Sequence, residues 1–249
     1  MKKLAEYINE AYEVNFRDRV QPKTTSELKQ IIKDAFNHNI YNLNFIDTSK
    51  ITDMSFLFHT YINGNLDVSN WDMSNVTKAD HMFYKCKTFN CDLSNWDVSN
   101  IKNMKNMFAE CEKFKGKGLE NWNVSNVTNM ESAFENCYCF NADLSGWDVS
   151  NVKTMSNMFV KCRSFTGKGL ENWDVSNVTN MEFMFAECDN FEGKSIENWD
   201  VSNVENISYM FDYCTSLNCN LNNWNVSKVK NTDNMFDNCM KLKKIPSWY

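Results

Sequence analysis

Ten cysteines and three histidines are the side chains of this 249-residue chain best suited to metal ligation, redox chemistry or nucleophilic attack. Their spacing argues against all three. Cys86, Cys111, Cys137, Cys162, Cys188, Cys214 and Cys239 recur every 25 or 26 residues, whereas a structural zinc site draws ligands from motifs such as C-x-x-C, which the sequence lacks. Cys137-Tyr138-Cys139 is the one close pair, Cys91 and Cys219 stand off the column, and His38, His59 and His81 keep no ligand spacing with them. If the column closes successive short helices, neighbours lie roughly 8–10 Å apart, beyond the about 4.4–6.8 Å between Cα atoms that a disulfide tolerates. Small buried thiols are expected, with no metal and no cofactor.

The carboxylates form a second column. Asp72, Asp97, Asp148, Asp174 and Asp200 each follow a tryptophan directly, with Asn123 and Asn225 in the two remaining copies and Asp47 in a degenerate first one. Asn95, Asn121, Asn172 and Asn198 precede the tryptophans, as do Asn70, Gly146 and Asn223. On a parallel sheet such carboxylates would stack at about 4.8 Å and repel. Either each one, with the serine two residues on, accepts local backbone N–H groups, or the line holds a cation or a partner. The Gly-Lys returns at Lys117, Lys168 and Lys194 could offer amides to an anion, but they lack the full P-loop spacing, and a turn adjustment accounts for them.

These columns need a repeat to position them. Trp71, Trp96, Trp122, Trp147, Trp173, Trp199 and Trp224 are separated by 25 or 26 residues, and each is followed by Phe at +12 and Cys at +15. The unit reads L-x-x-W-D-V-S-N-V-x-N-M-x-x-M-F-x-x-C-x-x-F; a degenerate copy begins at Ile46 and a stub runs from 242 to 248. Within a unit, Leu93, Trp96 and Val98 read as a short strand. Ile101, Met104, Met107, Phe108 and Cys111, spaced three, three, one and three, read as a short helix capped by Ser99 or Asn100. Neither buries its apolar face alone. The expected fold is therefore an α/β solenoid, a right-handed leucine-rich-repeat-like stack of about eight 25–26-residue strand–helix coils with one parallel sheet. The extra residue of the longer units falls in the return that precedes Leu119, Leu170 and Ile196.

Residues 1–40 do not repeat and read as a helical N-terminal cap, with 41–249 as the repeat region. Leu4, Tyr7, Ile8, Ala11 and Tyr12 have helical spacing, and Thr24-Thr25-Ser26-Glu27 is a capping-box pattern opening a second helix through Phe36. Such a pair would cover the open edge of the first coil.

The W-D-V-S-N-V-x-N-M-x-x-M-F-x-x-C unit, whose core signature W-D-V-S-N-V is unbroken at 147–152 and 173–178, resembles the repeat of the BspA-like leucine-rich-repeat surface proteins, including their mycoplasma branch, long catalogued as a domain of unknown function. The Pro22-Lys23-Thr24-Thr25-Ser26-Glu27-Leu28 segment is similar to the opening of those domains. The resemblance implies a cell-surface protein, with adhesion to host proteins in some members.

Composition narrows the partner. A net charge of −6 without a basic stripe argues against nucleic acid. No run approaches the ~20 apolar residues of a membrane span. The first residues, broken by Glu6, Asn9, Glu10 and Glu13, do not read as a signal peptide, so reduced thiols in a cytosol-like compartment are the default, against the surface location of the resembling family. Breaks in the repeat, such as Ala79, Ala133, Gly146, Ile207, Lys228 and Thr232, gather no nucleophile, base or paired acids, and a catalytic site needs such a convergence. A non-enzymatic module that binds a protein partner on the Asn/Asp face is expected. The alternative is an intracellular structural or self-assembling scaffold.

Overall fold

The computed structural model describes residues 19–62 and 65–249. The helix expected over residues 3–15 lies outside them. The second forms as α1, Thr25–Asn37. Thr24 Oγ1 accepts the Glu27 N–H at 3.2 Å, and Glu27 reaches back past the cap residue to accept the Lys23 N–H at 2.7 Å. Leu28, Ile32 and Ala35 are buried. The Thr25 hydroxyl donates to the Asp53 carbonyl at 2.7 Å, and Phe36 stacks on Tyr61 with centroids 4.3 Å apart, so α1 lies against the first repeat unit.

From there the units stack in register. One residue per unit, seven positions beyond the tryptophan, makes a parallel bridge to its equivalent in the next: Asp53, Lys78, Asn103, Asn129, Thr154, Asn180, Asn206 and Asn231. This overturns the strand–helix coil. Among the described residues there is no named strand and no sheet, only isolated bridges, and α1 is the one α-helix. The molecule is not an α/β solenoid.

The hydrogen bonds show why. The N–H groups of Trp96, Ile101, Met107, Cys111 and Phe114 each bond to the carbonyl three residues back, so the unit is a chain of tight turns. Between them the N–H groups of Met104, Asn106, Phe108 and Glu110 leave the unit for the carbonyls of Asn129, Glu131, Ala133 and Glu135, at 2.6–3.0 Å. An α-helix would need those donors for its own i−4 carbonyls. Asn106 and Glu110, at φ 53° and 61°, are also left-handed, which a right-handed helix does not accommodate. The same two columns are left-handed from Phe56 and Thr60 to Asn234 and Asn238. Spacings of three and four thus reflect successive turns rather than a helical face. Trp122 is extended (φ −71°, ψ 130°), but this conformation lasts too few residues to make a strand.

The core consists of the sequence columns. Trp96 and Trp122 stack at 6.1 Å and 4°, Phe108 and Phe134 at 5.7 Å and 3°. Each indole N–H finds a carbonyl of the preceding unit, as Trp147 does on Leu119 at 2.8 Å. The largest side chain is thereby buried without an orphaned donor. The longer units take up their extra residue in 3₁₀ turns at Leu119–Asn121, Leu170–Asn172 and Lys194–Ile196, each preceded by a left-handed glycine. At Gly118, φ is 93° and a Cβ would lie 2.2 Å from the Ser94 nitrogen.

Candidate functional site

The turn that follows each tryptophan is closed by the acidic residue itself. The Oδ1 atoms of Asp72, Asp97, Asp148, Asp174 and Asp200 accept the N–H of the serine two residues on, at 2.9–3.0 Å. Asn123 and Asn225 do the same at 3.1 and 3.2 Å, which shows that the turn needs the oxygen and not the charge. The carboxylate Oδ2 atoms have no hydrogen-bond partner among the described residues. Hydrogen bonds from Ser99, Ser150 and Ser202 hold Asp97, Asp148 and Asp200 below the ordinary carboxylate range. These three are therefore ionised at neutral pH.

All five aspartates are exposed, as are Asn95, Asn121, Asn172 and Asn198. They share a turn face rather than the sheet face expected for them. Asp72, Asn95 and Asp97 meet Arg19, Asn70, Trp71 and Met73 around a shallow cleft of about 330 Å³. The other candidates continue in register beyond it. Along the asparagines that precede the tryptophans, one amide–amide bond forms among the described residues, from Asn95 Nδ2 to Asn70 Oδ1 at 3.2 Å.

Two asparagine columns do more than the sequence reading assigned them. The asparagine four residues after the tryptophan, read as a helix cap, instead donates to the serine carbonyl of the preceding unit, as Asn100 does to Ser74 at 2.6 Å. The asparagine before methionine closes a second turn of the same kind, Asn103 Oδ1 accepting the Lys105 N–H at 3.0 Å. Their recurrence in nearly every unit was the available signal.

The Gly-Lys returns are already neutralised. Lys117 pairs with Asp92 at 2.6 Å, Lys168 with Asp143 at 2.7 Å and Lys194 with Glu192 at 2.5 Å. The cleft of about 340 Å³ beside Lys168 and Lys194 is also lined by Glu171 and Glu192, which oppose an anion.

The cysteine column is chemically quiet. Cys111, Cys137, Cys162, Cys188 and Cys214 are buried, and each thiol donates to a phenylalanine carbonyl of the preceding unit at 2.8–3.1 Å. Burial pushes Cys86 up to about 12 and Cys111, Cys162 and Cys214 well above the usual thiol range, away from the thiolate that chemistry requires. Among the described residues no His, Cys, Asp or Glu group is arranged to hold a metal ion, and no helix is long and apolar enough to cross a membrane.

No curated protein matches the chain. Residues 26–118, 94–169 and 162–249 match one family in three overlapping segments that together span the repeat. The chain belongs to the family described as "Mycoplasma protein of unknown function, DUF285" and is a repeat protein within it.

Proposed function

We propose that the chain is a non-enzymatic, protein-binding repeat module of the BspA-like kind that its unit resembles, engaging an adhesion or host-interaction partner along the exposed Asp/Asn turn face. The observation that carries this reading is the double use of one column. Each aspartate spends Oδ1 on its own turn while its side chain stays exposed, repeated at unit spacing along the stack. Fixed, regularly spaced acceptors suit a partner that lies along the stack, because little side-chain freedom is lost on docking.

Changing Asp97, Asp148, Asp174 and Asp200 together to Asn removes the charges and keeps the turn acceptor. Captured from host-cell surface extracts, a partner of this face is retained by the wild-type chain and lost by the quadruple variant at unchanged thermal stability. Equal capture by both would overturn the reading.

A further inference from the structure

A second surface, built from other columns, breaks the repeat in a way the stacking does not require. The left-handed position ten residues after the tryptophan, or at its equivalent in the first unit, is Asn106, Ser132, Asn157 and Asn234 in four units but aromatic in two adjacent pairs, Phe56 with His81 at the start of the stack and Phe183 with Tyr209 further along. Asparagine suits that conformation; an aromatic side chain there is an outlier. Phe183 and Tyr209 stack on the surface at 4.5 Å and 6°, and Tyr213, in the second left-handed column, is 52% exposed.

The charges around these rings also depart from the rest of the molecule. Several acids on or beside these columns meet a cation of the preceding unit, Glu110 with Lys85 at 3.6 Å, Glu131 with Lys105 at 2.9 Å and Glu187, at the edge of this surface, with Lys161 at 3.4 Å. Residues 181–187, 207–213 and 232–238 contain Glu182, Glu187, Asp212, Asp233 and Asp237 and no Lys or Arg. Among the described residues, Asp212, Asp233 and Asp237 form no ion pair. Asp212 faces the Asn238 amide and the like charge of Asp237, and burial together with that charge raises its pKa. The backbone sets the acids beside the tyrosines in the next unit: the Tyr209 N–H bonds to the Asp233 carbonyl and the Tyr213 N–H to the Asp237 carbonyl, both at 2.8 Å.

The molecule shows what completes such an arrangement. Arg163 lies over the Tyr138 ring at 5.2 Å with its Nε 3.9 Å from Asp189, and Lys85 lies over Tyr84 at 5.0 Å while pairing with Glu110. In both, an aromatic ring of one unit and an acid of another hold a cation between them. The Tyr209–Tyr213 surface has the rings and the acids without the cation. We propose that this surface binds an arginine-bearing segment of a protein partner, the guanidinium groups stacking on Tyr209 and Tyr213 and pairing with Asp212 and Asp237. Arginine fits better than lysine because its planar fork stacks and pairs at once. The Asp/Asn turn face plays no part in it.

The test uses a fluorescent Gly-Ser peptide carrying four arginines, with lysine and glutamate counterparts, and the full chain in an anisotropy titration. The arginine peptide is expected to bind, the lysine peptide several-fold more weakly and the glutamate peptide not at all. Tyr209→Asn with Tyr213→Asn, and separately Asp212→Asn with Asp237→Asn, should each weaken binding about tenfold or more, the loss of one or two charge-assisted or cation–π contacts. The asparagine variants keep the fold, since Asn157 and Asn238 already occupy the two left-handed columns. Asp97→Asn with Asp148→Asn should leave binding unchanged. Absence of arginine-peptide binding, equal loss in that control pair, or retention in the tyrosine pair would each overturn the proposal while leaving the turn-face reading standing. So would a wild-type dimer in sedimentation that the arginine peptide dissociates, which would assign the surface to a second copy.

Discussion

The Asn151 side-chain amide donates to the Ser125 carbonyl of the preceding unit at 2.8 Å, and five equivalent asparagines repeat that bond at 2.6–2.9 Å. Ser125 is in turn held by the Asn123 turn, so one unit's closing residue positions the acceptor for the next unit's staple. Asn151→Ala should cost about 0.5–1.5 kcal/mol, the net value of one hydrogen bond with a carbonyl returned to water. Asn151→Asp should cost more, because a carboxylate would face that carbonyl. Lys228, which replaces the staple and pairs with Asn203 Oδ1 at 2.6 Å, should cost less than either when changed to Ala. Urea unfolding midpoints order the three.

Asp148 separates turn closure from charge. Asp148→Asn retains the Oδ1 acceptor and should leave stability nearly unchanged, whereas Asp148→Ala should cost about 1 kcal/mol, as loss of a comparable side-chain cap does. Equal thermal midpoints for the two variants would contradict the turn assignment.

Acid should loosen the stack through the return pairs. Hydrogen bonding from Lys117 to Asp92 and from Lys168 to Asp143 holds both carboxyl groups down to about 2, against an ordinary value of 3.8. A carboxylate depressed in the folded state binds fewer protons than in the unfolded one, so its contribution is complete above the unfolded value and is lost as pH falls through the folded one. Stability should decline between about pH 4 and pH 2 for this reason. The combined Lys117→Met and Lys168→Met variant should show a shallower decline in chemical-denaturation series across that window.

Native alkylation should divide the ten cysteines. Cys86, Cys111, Cys137, Cys162, Cys188 and Cys214 are buried and should resist iodoacetamide at pH 8 until the chain is denatured, while Cys91, Cys139, Cys219 and Cys239 are only half-buried. Burial, the main cause, raises Cys91 to about 11 and Cys219 and Cys239 to about 12, so these three should react slowly. Peptide mapping after timed labelling reads the order. Rapid labelling of Cys162 would contradict the packing of the column.

Gly118 fixes a return. Gly118→Ala combines φ 93° with a Cβ against the Ser94 backbone at 2.2 Å and should cost several kcal/mol. Gly146, in ordinary backbone with its nearest atom the Glu120 carbonyl oxygen at 3.0 Å, should accept Ala with much smaller loss. Calorimetric melting of the two variants should separate them clearly.

The sequence by itself determined the register. Tryptophan, phenylalanine and cysteine recur because each unit buries the same side chains against the same neighbours, so a contact made once appears in the spacing of the whole chain. The second helix and its capping pattern were legible for a similar reason: Thr24, Glu27 and the apolar face act within a few residues of one another. What each unit's backbone does was decided only in three dimensions. Met104 and Met107 are three apart whether they share a helical face or close a tight turn, and periodicity cannot distinguish the two. The choice rests on where the Met104, Asn106, Phe108 and Glu110 N–H groups find their acceptors, and those carbonyls belong to a unit some 25 residues further on. Bonding between units likewise turned Asn100 from a cap into a staple, whereas Asp97 is held by a local turn. The bonds between units also bring Phe183 of one unit against Tyr209 of the next on the acidic surface that Tyr213 shares.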